Sequence, residues 1–237
     1  MITEIFITPF QDQADRHQKV KDYIRKKVPH NAKVLDLGGA SNCWGSPVVN
    51  HVADLFVEPK DQIKFLKSYI KIFSFNFEHY EEWSILEEYC KHNGLFDFVI
   101  CSHTLEDLHA PFVACQKMNK IAKAGYIAIP NRYQELKRFE THVPRSHPLR
   151  GYRGYHHHRW MYRISNSKLI GYPKQSWIEY LNVRTLEEYG FAEDGLELSF
   201  FWKDNFDFEF VPASSLLDNR EGRPRVFELL EADDSGI

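Results

Sequence analysis

The residues best suited to chemistry begin with Asp36. It stands inside a short apolar run, Val34-Leu35-Asp36-Leu37, and the small residues Gly38, Gly39, Ala40 and Ser41 follow it. A buried parallel strand that delivers the chain into a tight ligand-binding loop has this form. Small residues let the backbone approach a ligand, and glycine accepts turn conformations that a side chain forbids. The Asp36 carboxylate then lies towards the strand's C-terminal end, where open α/β sheets hold their ligands. A second cluster is Arg153-Gly154-Tyr155-His156-His157-His158-Arg159-Trp160. On a strand, His156 and His158 share a face and His157 opposes them. Two imidazoles on one face fall short of a metal site, and no H-E-x-x-H spacing is present, so no metal is expected. The segment reads instead as a lid over a polar or anionic substrate. Arg supplies forked donors, Trp160 or Tyr155 a stacking face, and a neutral His a general base.

The elements that must position these residues are legible from periodicity. Ala14, His17, Val20, Tyr23, Ile24 and Val28 fall at helical spacing, and Pro29 stops that helix. Lys33–Leu37 is the first strand of this reading, Val52–Val57 the second and Ile70–Phe75 the third, with a helix over Asp61–Ser68 between the last two. Helices over Glu81–His92 and Pro111–Lys123 flank a strand at Phe96–Cys101, and a fifth strand covers Gly125–Pro130. This alternation predicts a doubly wound α/β fold with a mostly parallel sheet. After Pro130 the rhythm breaks. Residues 132–182 read as an inserted recognition or lid segment within a single domain, with a hairpin around Ser165-Asn166-Ser167. Val183–Tyr189 reads as a helix, Leu196–Trp202 and Phe206–Val211 as a closing antiparallel hairpin, and the acidic tail from Asp218 as loosely held.

The chain has 237 residues, 43% hydrophobic and 27% charged, with a formal net charge of −3, so nothing global argues for nucleic-acid or membrane binding. Its four Cys form no C-x-x-C pair, and Cys101 and Cys115 lie in apolar patterns, as reduced core thiols do. With no secretory signal or bilayer-length apolar run, a cytoplasmic setting is expected. Charge is uneven. Residues 132–163 carry eight Lys/Arg against two Asp/Glu, and residues 186–237 carry four against fourteen. An anionic ligand is expected at the first region.

Three segments together resemble the class I S-adenosylmethionine-dependent methyltransferases. Val34-Leu35-Asp36-Leu37-Gly38-Gly39-Ala40 looks like that family's first motif, and Phe96–Leu108 like its fourth-strand motif. Lys120–Pro130 resembles the helix, turn and strand that follow. The match spans roughly residues 33–131, with a looser fit at 196–211. It implies a seven-stranded Rossmann-like sheet and S-adenosylmethionine as cofactor.

The resemblance also assigns roles. Asp36, Gly38, Gly39 and Ala40 meet the methionine part. Asp54, eighteen residues beyond Asp36, takes the ribose hydroxyls, with Leu55 beside it and Glu58 as the backup. Asn76 meets the adenine amino group next to Phe77. Ser102 and His103 border both cofactor and substrate. Ala40 and Asn42 stand where the family has glycine, and Asn42 tolerates a left-handed turn. His103 and His157 are the candidate bases, and Arg132, Tyr133, His156, His158, Arg159 and Trp160 the candidate substrate contacts. Glu106 and Asp107 read as acids favoured at a helix N-terminus. The expected reaction is methyl transfer to an oxygen or nitrogen of a small or conjugated polar substrate. The alternatives are a nucleic-acid methyltransferase and a binding module that has lost the cofactor, with a nicotinamide enzyme weaker still because full G-x-G-x-x-G is lacking.

Overall fold

The computed structural model describes residues 1–9, 13–39, 44, 48–136, 152–180 and 196–216. Ala40, Asn42, the 183–189 helix and the acidic tail fall outside them.

In chain order the elements are β1 (Ile2–Pro9), α1 (Gln13–Lys27), β2 (Val34–Leu37), β3 (His51–Asp54), α2 (Pro59–Lys67) and β4 (Lys71–Ser74). A single 3-10 turn (Tyr80–Trp83) leads into α3 (Ser84–Asn93), followed by β5 (Phe98–Ser102), α4 (Pro111–Ile121), β6 (Ala124–Pro130) and α5 (Arg132–Leu136). Then come β7 (Trp160–Ser165), β8 (Lys168–Pro173), a 3-10 turn (Ser176–Tyr180), β9 (Leu196–Lys203), β10 (Asp207–Phe210) and a last 3-10 turn (Ala213–Ser215). Proline opens both α2 and α4, where its missing N–H costs nothing. Gly94, at φ +73°, ends α3.

Seven strands form one sheet in the order β1-β9-β6-β5-β2-β3-β4. From β4 to β6 all neighbours are parallel. β9 is antiparallel to both β6 and β1. The expected doubly wound, mostly parallel sheet is therefore present.

Alternation within the central strands divides the core. Leu35, Leu37, Val99 and Cys101 face α3, α4 and the second sheet, while Val34, Phe98 and Ile100 face α1 and α2. Parallel strands buried on both faces need such continuous apolar runs. Cys101 and Cys115 are buried free thiols in the first layer, and burial pushes both up, which leaves them unreactive at neutral pH.

Three expectations are corrected. The strand counted first is the second: β1 precedes it and occupies the sheet edge. Its residues pair with β9 across almost the whole chain, with Ile5 opposite Phe200. The closing segment is not a hairpin. The chain does turn at Asp204, φ +63°, but Phe206 buries against Phe200 and Trp202 and carries the chain off the sheet edge. β10 then pairs parallel to β8, giving a second sheet of order β10-β8-β7. The third correction concerns His156–His158, which lie in a turn before β7 begins at Trp160. The hairpin between β7 and β8 is as expected. Asn166 and Ser167 both take positive φ, as a two-residue hairpin turn requires.

Candidate functional site

The ends of β2, β3 and β5 meet at Gly38. Its φ of +82° is one that L side chains rarely adopt, and a Cβ there would overlap the Thr104 hydroxyl just beyond β5. The Gly38 N–H bonds the Ala53 carbonyl of β3 at 2.8 Å. One glycine thus ties the residue before Asp54 to the residue after His103. Gly39 lies over the Asp36 carboxylate, with no room for a Cβ. Asp36 is almost fully buried, and its Oδ2 accepts the Trp44 N–H at 3.1 Å. Asp36 therefore packs beneath Gly39 and holds the Trp44 backbone.

At the end of β3, Asp54 is half-buried, and its Oδ1 lies 3.4 Å from the Phe56 N–H. Leu55 and Phe56 follow with 61% and 67% of their surface exposed. Two large apolar side chains open to solvent beside a carboxylate suit a ligand with a flat apolar face and vicinal hydroxyls. Glu58 is exposed and forms an ion pair with Lys60. Asn76, just after β4, accepts the Glu78 N–H at its Oδ1 (3.0 Å), while its own N–H donates to Glu82 (2.7 Å). Phe77 is buried against Phe75 and Trp83 and belongs to the core.

His103 follows Ser102 at the end of β5, with φ +52° in the left-handed region. A non-glycine residue there is held by its surroundings, and such positions concentrate at functional sites. Its N–H bonds the Ala128 carbonyl at 2.8 Å. Its ring lies between two carboxylates: Nδ1 is 3.2 Å from Glu106 Oε1, and Nε2 is 2.8 Å from Glu197 Oε2. Both carboxylates are buried, whereas the His103 side chain is 27% exposed. Glu106 and Asp107 are not helix N-terminal acids. α4 starts at Pro111, beyond the reach of its first turn, and both acids lie in the preceding loop.

A second histidine–carboxylate group adjoins this loop. The Arg159 N–H donates to the Glu106 carbonyl at 2.7 Å, and Arg159 Nε to the Asp107 carbonyl at 3.2 Å. His158 is buried. Its Nδ1 is 2.6 Å from Glu135 Oε1, and Lys174 Nζ bonds Glu135 Oε2 at 2.6 Å. The Nε2 atoms of His157 and His158 lie 3.9 Å and 3.8 Å from the same Asp107 Oδ1. Burial opposes charge on His158, but the Glu135 hydrogen bond and the neighbouring carboxylates outweigh it and raise its pKa. Burial, then the adjacent His158, lowers His157. Burial, then the charge of Glu106, raises Asp107.

The expected substrate residues divide. Arg159, His156 and His157 are exposed near the loop, Trp160 packs edge-on against Phe210, and Arg132 is fully buried on α5. Tyr133 lies in α5, whose placement puts it one residue from Arg132. Arg153 and Arg163 are buried too, with Arg153 Nη1 donating to the Leu136 carbonyl at 2.6 Å. Three of the four described arginines between 132 and 163 are thus interior, and only Arg159 is displayed.

Sequence reasoning missed Thr104, Glu135 and Glu197. The spacing of Glu106, three residues after His103, carried a signal. A lone acid in an otherwise apolar strand was the only hint at Glu197.

No family model and no curated protein matches the chain. Among solved structures, the plantazolicin methyltransferase BpumL in complex with SAH aligns at TM-score 0.46 and 14% identity, over 83% of this chain and 85% of that one. The PH0226 protein from Pyrococcus horikoshii OT3 aligns at TM-score 0.45 and 13% identity, over 81% and 91%. The N-terminal domain of EvdMO1, solved with SAH and D-fucose, aligns at 0.39 and 12%, over 83% and 84%. Likeness of this degree does not carry chemistry across to this chain.

Proposed function

We propose that the chain is an S-adenosylmethionine-dependent methyltransferase acting on an oxygen or nitrogen of a small or conjugated polar substrate. The observation that carries this reading is the junction at Gly38. It brings the Gly38–Gly39 backbone, the Asp54 carboxylate with its apolar neighbours, and His103 together at the C-terminal ends of adjacent parallel strands. The seven-stranded order with an antiparallel β9, together with the three motif segments, supports the same reading.

The residues fit the cofactor's parts. The 38–39 backbone would hold the methionine end, and Asp54 would accept the ribose hydroxyls. Leu55 and Phe56 give the exposed apolar surface that an adenine face covers, and Asn76 stands at the next strand end. When bound, S-adenosylmethionine supplies a methyl carbon whose bond to sulfur breaks as the acceptor's lone pair attacks, the electron pair returning to sulfur.

The chain's own task is alignment, exclusion of water and disposal of the acceptor's proton. His103 with Glu106 and Glu197 forms the proton-accepting group. A proton taken by the ring leaves an imidazolium that donates at both nitrogens to carboxylates. The 3.2 Å contact to Glu106 is the longer, and an incoming hydroxyl displaces it more readily than the 2.8 Å contact to Glu197. A nucleic-acid substrate is less favoured, because most of the described basic residues of 132–163 point into the protein.

Calorimetric titration with S-adenosylmethionine and S-adenosylhomocysteine tests this reading. Micromolar binding by the wild type and at least a tenfold loss in Asp54→Ala are expected. No binding to folded protein, or unchanged affinity in the variant, contradicts it.

A further inference from the structure

We propose that Asp107, His157 and His158 bind one divalent transition-metal ion of the zinc or cobalt type. Ligand atoms from the three side chains lie within 4.8 Å of one another. Both Nε2 atoms approach the same Asp107 oxygen, at 3.8 Å and 3.9 Å. In a tetrahedral site with bonds of about 2.0–2.1 Å, ligand atoms stand roughly 3.3–3.4 Å apart. The two Asp107 contacts need to close by about half an ångström, and the remaining pair, within 4.8 Å, by at most about 1.4 Å. Asp107 and His157, both about half exposed, have room to make these shifts.

The surroundings are built as metal sites are. A ligating histidine usually donates its other ring N–H to a carboxylate, which fixes the tautomer and aims the free nitrogen. His158 does this through Nδ1 to Glu135 at 2.6 Å. Glu135 is fully buried and held in turn by Lys174. The two segments that supply the ligands are already fastened together, since the Arg159 N–H bonds the Glu106 carbonyl and the Tyr162 hydroxyl bonds the Leu105 carbonyl.

The turn at residues 155–158 creates the site, because it lets adjacent histidines converge where a strand would part them. Two imidazoles and one carboxylate suit zinc, cobalt or nickel and disfavour magnesium, which prefers oxygen ligands. Three protein ligands leave a coordination position open for water or an oxygen of a substrate. His103 and Asp107 lie in the same loop, four residues apart.

The test uses the full chain, stripped of metal with a chelator that is then removed. Cobalt(II) is titrated by visible absorption and zinc(II) by calorimetry. One equivalent is expected to bind, with the visible absorption bands of tetrahedral cobalt(II), and an excess of magnesium should not compete. Asp107→Asn and His157→Gln alter exposed side chains, so the metal-free variants should keep the wild-type melting temperature and far-UV spectrum. Each should weaken binding at least tenfold, and together they should abolish it. Absence of cobalt and zinc binding by the wild type overturns the proposal, as does equal affinity in the folded double variant. This readout is independent of S-adenosylmethionine, so its failure is separable from failure of the methyl-transfer reading.

Discussion

His51 and His103 stand at opposite ends of the parallel strands of one sheet, and their partners differ in kind. His51 opens β3. Its Nδ1 meets the Asn50 side-chain oxygen at 2.6 Å, and its Nε2 meets the Tyr89 hydroxyl at 2.7 Å. Phe73, Phe96 and Tyr89 surround the ring. Burial, helped by Lys71 and Lys33, lowers its pKa to about 4, so it is a neutral structural residue. His103 follows β5 at the other end, strained in backbone and placed between two carboxylates. The same side chain fills a core at one end and meets two buried carboxylates at the other. What separates the roles is the charge of the groups that face it and where it lies relative to the strands' C-terminal ends.

The largest expected effect comes from the charged end. His103→Gln should lower methyl transfer about 10²–10⁴-fold while leaving the melting temperature within a few degrees. Release of S-adenosylhomocysteine, measured with a small-molecule extract as the acceptor source, reads this. A similar fall in His51→Gln would erase the distinction between the two ends. His51→Ala should do the reverse. It removes ring packing and two hydrogen bonds, costing about 2–3 kcal/mol in urea unfolding, and leaves cofactor affinity unchanged.

pH sharpens the contrast. His51 has its folded pKa depressed to about 4 against about 6.5 unfolded. Between those values the unfolded chain holds more protons, so stability falls as pH falls across that window, by about 2 kcal/mol after allowance for solvent screening. His51→Gln should flatten that part of the profile. The raised pKa of His158 works in the other direction: its contribution is present below about pH 6.5 and is lost as pH rises through its folded value. The smallest effect is expected at Asp107→Asn. In the metal-free protein it should change stability by less than about 0.5 kcal/mol, because the side chain is half exposed and its partners lie beyond 3.5 Å.

Much of the sheet was legible because its central strands are buried on both faces. Val34–Leu37 and Phe98–Ser102 read as continuous apolar runs between turn signals, and glycine or proline marked the helix ends. β1 was not legible because its pairing lies in β9, at the far end of the chain. β10 was misassigned because a turn at Asp204 looks the same locally whether the next strand folds back or crosses to a second sheet. Buried Phe206 decides that, and its burial depends on tertiary packing. At the candidate site, Asp36 and the glycines stood out from the strand and loop pattern, while Asp54 and His103 came from the family resemblance. Glu197 and Glu135 act on histidines 94 and 23 residues away, and only the fold brings them there. The His156–His158 run was read with strand geometry, and the turn changed which nitrogens meet.

Hydrogen exchange with and without S-adenosylhomocysteine tests most directly the assignment of ligand chemistry to one end of the sheet. Protection is expected at residues 36–39, 54–58, 75–79 and 102–107, with no change at 50–52 or 89–97. Protection confined to the His51 end, or none at saturating ligand, would contradict that assignment.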